Sequence, residues 1–222
     1  MLFLRKNVMA FTGLFLCIFL VVHLAGNLIL LLPAGLSKNL YNIYSHTLGE
    51  NILIKVVSII LYLSIILHTV YAFLITMKNK NSLGEVDYFV NHKQDNSSWT
   101  SQNMGLLGMV ILVFIVVHMV NFWMRVKLGF GEVIPLDQNG YKDVYLVVSE
   151  LFRNPLYVIF YSVLMIPLGL HLKHGFSSAF KTLGVYKKSY IQRINIISLI
   201  FSIVTFIGFS VIPIVVYLRG LS

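Results

Sequence analysis

Four histidines stand where histidines are expensive. His23, His68, His118 and His171 each lie inside a long apolar run, and His174 follows close behind the last. An ionisable side chain at hydrocarbon depth is costly and marks a functional position by default. Imidazole offers two chemistries there, proton transfer and metal ligation. A single such residue is readily explained by an interhelical hydrogen bond. One in each of four successive runs, with none in the fifth, is not.

Depth sorts them. A helix rises about 1.5 Å per residue. His23 lies 15 residues after Val8, and His118 lies 14 residues after Met104. Both are therefore roughly 21–22 Å from the starts of their runs. The second and fourth runs return in the opposite direction. His68 is nine residues before Met77 and His171 seven before Ser178, roughly 14 and 10 Å from that same side. The four thus form two layers about 10 Å apart, His23 with His118 and His68 with His171. Two facing imidazoles suit one iron with two axial ligands, and the interior of a bundle is where facing helices hold cofactors. Two such pairs predict two haems stacked across the membrane.

Neighbouring residues fit the same expectation. Gly13, Ala25 and Gly26 flank the first histidine, Gly105 and Gly108 precede the third, and Gly169 and Gly175 bracket the fourth. They leave room for a macrocycle, although small residues also serve ordinary helix packing in membranes. His174 shares roughly the face of His171. Depth favours His171 as the ligand, which leaves His174 or Lys173 for a haem propionate or for lipid headgroups. Ser101, Gln102, Lys78 and Lys181 are further propionate candidates by position. Outside the runs, His46 and Glu50 are candidates either for proton handling at a quinone site or for a plain surface role, and His92 reads as solvated.

The elements that must position these residues are transmembrane helices. A bilayer core needs about 20 apolar residues as helix. Five runs qualify: Val8–Leu32, Ile52–Met77, Met104–Val126, Pro155–Ser178 and Ile194–Leu218. They lack the alternation of barrel strands. The expected fold is a single all-α membrane domain, a bundle of five helices with the haems between the first four. Pro33–Asn51, Lys78–Asn103, Lys127–Asn154 and Ala179–Arg193 read as connections.

Composition agrees. Of 222 residues, 58% are hydrophobic and only 11% charged, against about a quarter charged in soluble domains. The net charge of +9 sits in short loops, where it anchors helix ends in lipid headgroups rather than marking a nucleic-acid partner. Ten of the 17 Lys and Arg fall on the side of the N-terminus, with a tight group from Lys181 to Arg193. That bias predicts a cytoplasmic N-terminus. The first run extends past His23 to Leu32 and reads as a retained span rather than a signal peptide. The lone Cys17 cannot hold an iron–sulfur cluster, which takes about four ligands, so any cluster belongs to a partner.

Taken in order, the stretches Thr12-Gly13-Leu14-Phe15-Leu16, Val22-His23-Leu24, Leu67-His68-Thr69-Val70-Tyr71, Val117-His118-Met119 and His171-Leu172-Lys173-His174-Gly175, with Gln192-Arg193 before the last run, resemble a known family. This family is the five-helix, dihaem cytochrome b anchor of succinate:quinone oxidoreductases and quinol:fumarate reductases. The resemblance covers nearly the whole chain. It implies two haem b groups, a distal one on His23 and His118 and a proximal one on His68 and His171. The spacing from the family ligand to the following glycine again selects His171. It also implies a flavoprotein subunit and an iron–sulfur subunit as partners at the cytoplasmic face, menaquinone as the quinone, and the bacterial cytoplasmic membrane as the location. The fumarate reductases of this family have an acidic residue near the start of the second helix, where this chain has His46 and Glu50.

Two other readings stay open. One is the cytochrome b anchor of a hydrogenase or a formate dehydrogenase. The other is a haem-free transporter with a histidine relay, against which the apolar runs carry no mid-membrane Asp or Glu to pair with the histidines.

Overall fold

The computed structural model describes residues 2–81, 99–185 and 187–221, and His92 lies outside them. The described chain is helical apart from loops and a single bridge, Leu136 to Lys142. In chain order, α1 is Leu2–Asn27, extended by a 3-10 turn at Leu28–Leu31, and α2 is Ala34–Glu50. Next come α3, Ile52–Asn81, and the short α4, Trp99–Gln102. Helix α5, Met104–His118, continues through a π-helical turn, Met119–Met124, and a last α-helical turn, Arg125–Leu128. Then follow α6, Val144–Phe152, α7, Pro155–Thr182, and α8, Lys188–Leu221.

Five of these are long and apolar enough to cross a membrane: Leu4–Leu31, Ile52–Lys78, Met104–Leu128, Pro155–Thr182 and Lys188–Leu221. Their outward sides carry a near-continuous apolar coat, including Phe11, Ile18, Ile59, Ile66, Met109, Ile159 and Ile200, all exposed. A water-soluble fold would bury such a coat. Lipid accepts it, so the chain is a multi-pass membrane protein.

The connections hold structure that the sequence did not predict. Pro33–Asn51 contains α2, and Lys127–Asn154 contains α6. Both lie on the face of the bundle that holds the C-terminus, and they pack on each other. A buried polar knot joins them. Asn42, fully buried, donates to Asp143 Oδ1 at 3.0 Å and accepts from Tyr145 N–H at 2.9 Å. Asp143 caps α6 by accepting from Leu146 N–H at 3.0 Å and pairs with Lys38 at 2.8 Å. Burial opposes the charged carboxyl, but hydrogen bonds from Lys38, Asn42 and the Leu146 amide outweigh it and hold Asp143 below the usual carboxylate range. Asn154 caps α7, with Pro155 at its first position.

Around the bundle, α1 packs on α3, α3 on α5, α5 on α7, and α7 back on α1, while α8 lies outside against α7 and α1. The diagonal pairs, α1 with α5 and α3 with α7, do not pack backbone to backbone. Close approaches elsewhere require glycine. A Cβ at Gly208 would stand 2.8 Å from Leu24, and one at Gly26 would stand 2.3 Å from the Tyr44 hydroxyl. The core proper gathers Leu24, Leu30, Val148, Phe152, Val158, Tyr161, Ile212 and Val216 toward the C-terminal face. Arg219 locks that end by donating to Leu30 O at 2.7 Å and Leu31 O at 2.5 Å.

Candidate functional site

The open diagonals are where the histidines meet. His23 of α1 faces His118 of α5 with ring centres 5.8 Å apart, and His68 of α3 faces His171 of α7 at 6.3 Å. The helices that carry each pair do not otherwise pack. The four rings therefore project from the four sides of the bundle into its centre, in two opposed pairs.

The depth of each pair can be read from its neighbours. His68 lies against Thr12 and Gly13 of α1, so its level is ten or eleven residues before His23. His171 lies against Gly108 of α5, ten residues before His118. Both helices give a separation of about 15 Å, wider than the 10 Å expected from the ends of the apolar runs. The helix ends do not share one level: α1 begins at Leu2, six residues before its apolar run, whereas α5 begins at Met104 with its run, so depth follows from the lateral contacts rather than from the ends of the runs.

The surroundings of the pairs differ. His23 and His118 are walled by aromatic rings: Phe19 stacks on His23 at 5.2 Å, Phe209 lies at 5.6 Å, and Phe114 and Phe122 lie 5.7 and 5.1 Å from His118. His68 and His171 are lined by glycines. A Cβ at Gly13 would come within 3.2 Å of His68 Cε1, and Cβ atoms at Gly108 and Gly175 would stand 3.7 and 4.0 Å from His171.

Polar partners set ring orientation. Thr12 Oγ1 lies 2.8 Å from Val8 O, 3.2 Å from Met9 O and 3.2 Å from His68 Nδ1. With the ring proton on His68 Nδ1, the hydroxyl oxygen accepts from it, since the Thr12 proton serves the Val8 carbonyl, and the lone pair is left on Nε2. Asn27 donates to His23 O at 2.8 Å and lies 3.4 Å from His23 Nδ1. The Nδ1 atoms of His118 and His171 are buried without a protein partner. Buried polar atoms in that condition are uncommon, and each pair contains one.

The donor set and spacing can be tested against a metal between the rings. Metal–imidazole bonds of about 2 Å, with each ring centre roughly 1.1 Å behind its nitrogen, put two coaxial rings about 6 Å apart centre to centre. Both pairs meet that spacing, and two imidazoles with no carboxylate or thiolate nearby are the ligand set of a low-spin haem. No group of three or more His, Cys, Asp or Glu stands together among the described residues, so a multi-ligand metal cluster has no counterpart there.

The remaining predicted residues fall away from the pairs. His174 is half-buried and one turn nearer the N-terminal face than His171, outside either ring pair. Ser101 and Gln102 lie on α4, which packs against α7, and Lys181 stands in the last turn of α7. His46 is exposed on α2 and stacks on Tyr141 at 3.9 Å, while Glu50 is exposed and pairs with Lys55 at 3.4 Å.

One surface feature has no signal in the sequence. On the C-terminal face a cleft of about 380 Å³ opens between the π-helical turn, the loop after it and α6, lined by Asn121, Arg125, Glu132 and Glu150 among apolar neighbours. Its parts come from three segments, and the π-helical turn that aims them leaves no mark in hydrophobic periodicity. Comparison with family models, curated proteins and solved structures finds no match for this chain.

Proposed function

We propose that this chain is the membrane anchor of a succinate:quinone oxidoreductase. In this reading it holds two b haems and carries electrons between an iron–sulfur subunit and menaquinone. The observation that carries the reading is the pair of opposed histidine couples, at 5.8 and 6.3 Å between ring centres, stacked about 15 Å apart along the bundle. A histidine relay has no need of opposed rings at metal-bridging distance on helices that otherwise stand apart.

His68 and His171 would ligate the proximal haem, and His23 and His118 the distal one. Haem, when bound, supplies one-electron redox chemistry at a potential tuned by its ligands and burial. The chain's own residues do the rest. Thr12 orients His68, the glycines beside His68 and His171 make room, and the phenylalanines around His23 and His118 exclude water. Lys78, Ser101, Gln102 and Lys181 would receive propionates at the N-terminal face, which the bias of basic residues assigns to the cytoplasm. There the iron–sulfur and flavoprotein subunits would dock, in the bacterial cytoplasmic membrane.

The test is the reduced-minus-oxidised visible spectrum, with pyridine haemochrome quantitation, on the protein purified with its natural partners. Wild type should carry about two low-spin b haems per chain, and His68→Ala and His118→Ala should each lose a different one. A colourless protein would refute the reading and turn attention to a haem-free transporter. Co-purification of a hydrogenase or formate dehydrogenase subunit, in place of a flavoprotein, would refute the assignment of the complex.

A further inference from the structure

Behind His23 stands a chain of hydrogen bonds that begins on α2. Asn27, one turn past His23 on α1, has its Nδ2 2.8 Å from His23 O and 3.4 Å from His23 Nδ1. Its Oδ1 accepts from the Tyr41 hydroxyl of α2 at 3.3 Å. Tyr41 is held in turn. It packs against the buried core, and its neighbour Asn42, fully buried, is tied to Asp143 and to the Tyr145 amide. His118, across the diagonal, differs. Asn121, three residues past it, donates to Tyr161, and His118 Nδ1 has no protein partner among the described residues.

The chemistry of the three groups says what the chain does. A neutral imidazole that offers its Nε2 lone pair to the centre of the bundle carries its proton on Nδ1. That proton needs an acceptor, as Thr12 supplies behind His68. An asparagine amide serves either tautomer, because a half-turn about its last bond exchanges oxygen and nitrogen in the same two positions. With Nδ2 toward the ring it suits a bare Nδ1. With Oδ1 toward the ring it suits Nδ1–H, and Nδ2 then falls to Tyr41. Only a partner that accepts as well as donates satisfies both directions, and a phenol hydroxyl does so. The exchange gives up the bond to His23 O, a carbonyl that α1 already bonds within the helix.

We propose that Asn27 and Tyr41 are positioning residues for His23. The Asn27 amide sets which ring nitrogen faces His118, and Tyr41 holds that amide in either direction. The proposal rests on the dihaem reading above and deepens it, since it makes α2 part of the distal site.

The experiment is a potentiometric titration of the natural complex, followed at the b-haem absorbance, on wild type, Asn27→Asp, Asn27→Leu and Tyr41→Phe. The component to follow is the one that His118→Ala removes. Asn27→Asp places a fixed acceptor behind His23 and keeps the bond from Tyr41. A stronger acceptor makes the ligand more basic and favours oxidised iron, so this component should shift to lower potential. Asn27→Leu removes the acceptor and should shift it to higher potential. Tyr41→Phe strands the amide and should shift it in the same direction as Asn27→Leu. The other component should not move. Disturbed packing alone would move it in one direction for Asp and Leu alike. Where Asn27→Leu loses that haem outright, Asn27→Asp and Tyr41→Phe carry the comparison.

Histidine 15N NMR of the same reduced samples, with His23 assigned by His23→Gln, reads the ring tautomer and needs no haem. In a colourless protein the dihaem reading falls, while a change of His23 tautomer in Asn27→Asp upholds the positioning. Shifts of equal sign in Asn27→Asp and in Tyr41→Phe, or shifts shared by both components, would overturn it. So would a His23 signal in a colourless protein that ignores both substitutions.

Discussion

Thr12→Val exchanges a hydroxyl for a methyl at nearly constant shape, and His68 is the residue that should register it. The hydroxyl sits 3.2 Å from His68 Nδ1 and 2.8 Å from Val8 O. Removing it frees a helix carbonyl that is already bonded within the helix, which costs little. It also strips the ring of the acceptor that holds its proton on Nδ1. An unsatisfied buried donor costs about 1–3 kcal/mol, and loss of the hydrogen bond behind a metal-bound imidazole typically lowers metal affinity about 10–100-fold. The two figures agree, since about 1.4 kcal/mol is a factor of ten. On the proposed dihaem reading, the expected result is one b haem lost about 10–100 times faster to a haem acceptor such as apomyoglobin. The other should be retained at the wild-type rate, and Thr12→Ser should restore both. Equal weakening of both haems, or none, would refute the placement of Thr12 behind His68 and with it the fixed orientation of that ring.

Three further expectations use other contacts. Gly13→Leu gains helix propensity of about 0.5–1 kcal/mol but drives a side chain into a ring that a bare Cβ would already approach to 3.2 Å. Haem content should fall from about two to about one per chain, and a full complement would show that the ring has room to move. Asp143→Ala removes a helix cap and strands Asn42, so unfolding in detergent should need roughly 2–4 kcal/mol less. Asp143→Asn tests the charge. A carboxyl held below its ordinary value contributes stability that is present above about pH 4 and is lost as pH falls through the lowered value. The difference in melting temperature between wild type and Asp143→Asn should therefore close below about pH 4. Gly26→Leu meets the Tyr44 ring and should release α2, read as faster hydrogen exchange across residues 34–50.

The parts of this fold that follow from hydrophobicity were legible. Five apolar runs gave five spans, and the in-line spacing of His23, His68, His118 and His171 gave two layers before any coordinates. The parts set by hydrogen bonding were not. Pro33-Ala34-Gly35 reads as a break, yet Pro33 only ends one helix and precedes the next, and α2 is too polar to register as a span. Helix α6 was announced by Asp143 as cap and by Asn154-Pro155 after it, signals that were there to be used. The π-helical turn is a shift of hydrogen-bond register over six residues of ordinary apolar sequence, MVNFWM, and nothing in their identities distinguishes it from α-helix. For the same reason the hollow beside that turn leaves no mark in the sequence.

The open diagonals bear on how such a protein is made. Helix α7 packs most extensively on α8, and α3 and α5 pack along one side each, on α1 and α7, while few of their residues are fully buried. In a membrane, where apolar side chains gain little by leaving lipid, helices with few mutual contacts associate weakly. If the proposed haems are bound, they would add a tie across each diagonal, joining α3 to α7 through His68 and His171 and α1 to α5 through His23 and His118. The rim contacts and the diagonal ties would then be separate sources of cohesion, one set by side-chain packing and the other by ligation. On that reading, a chain short of haem would lose the ties across its two diagonals while keeping the packing around its rim.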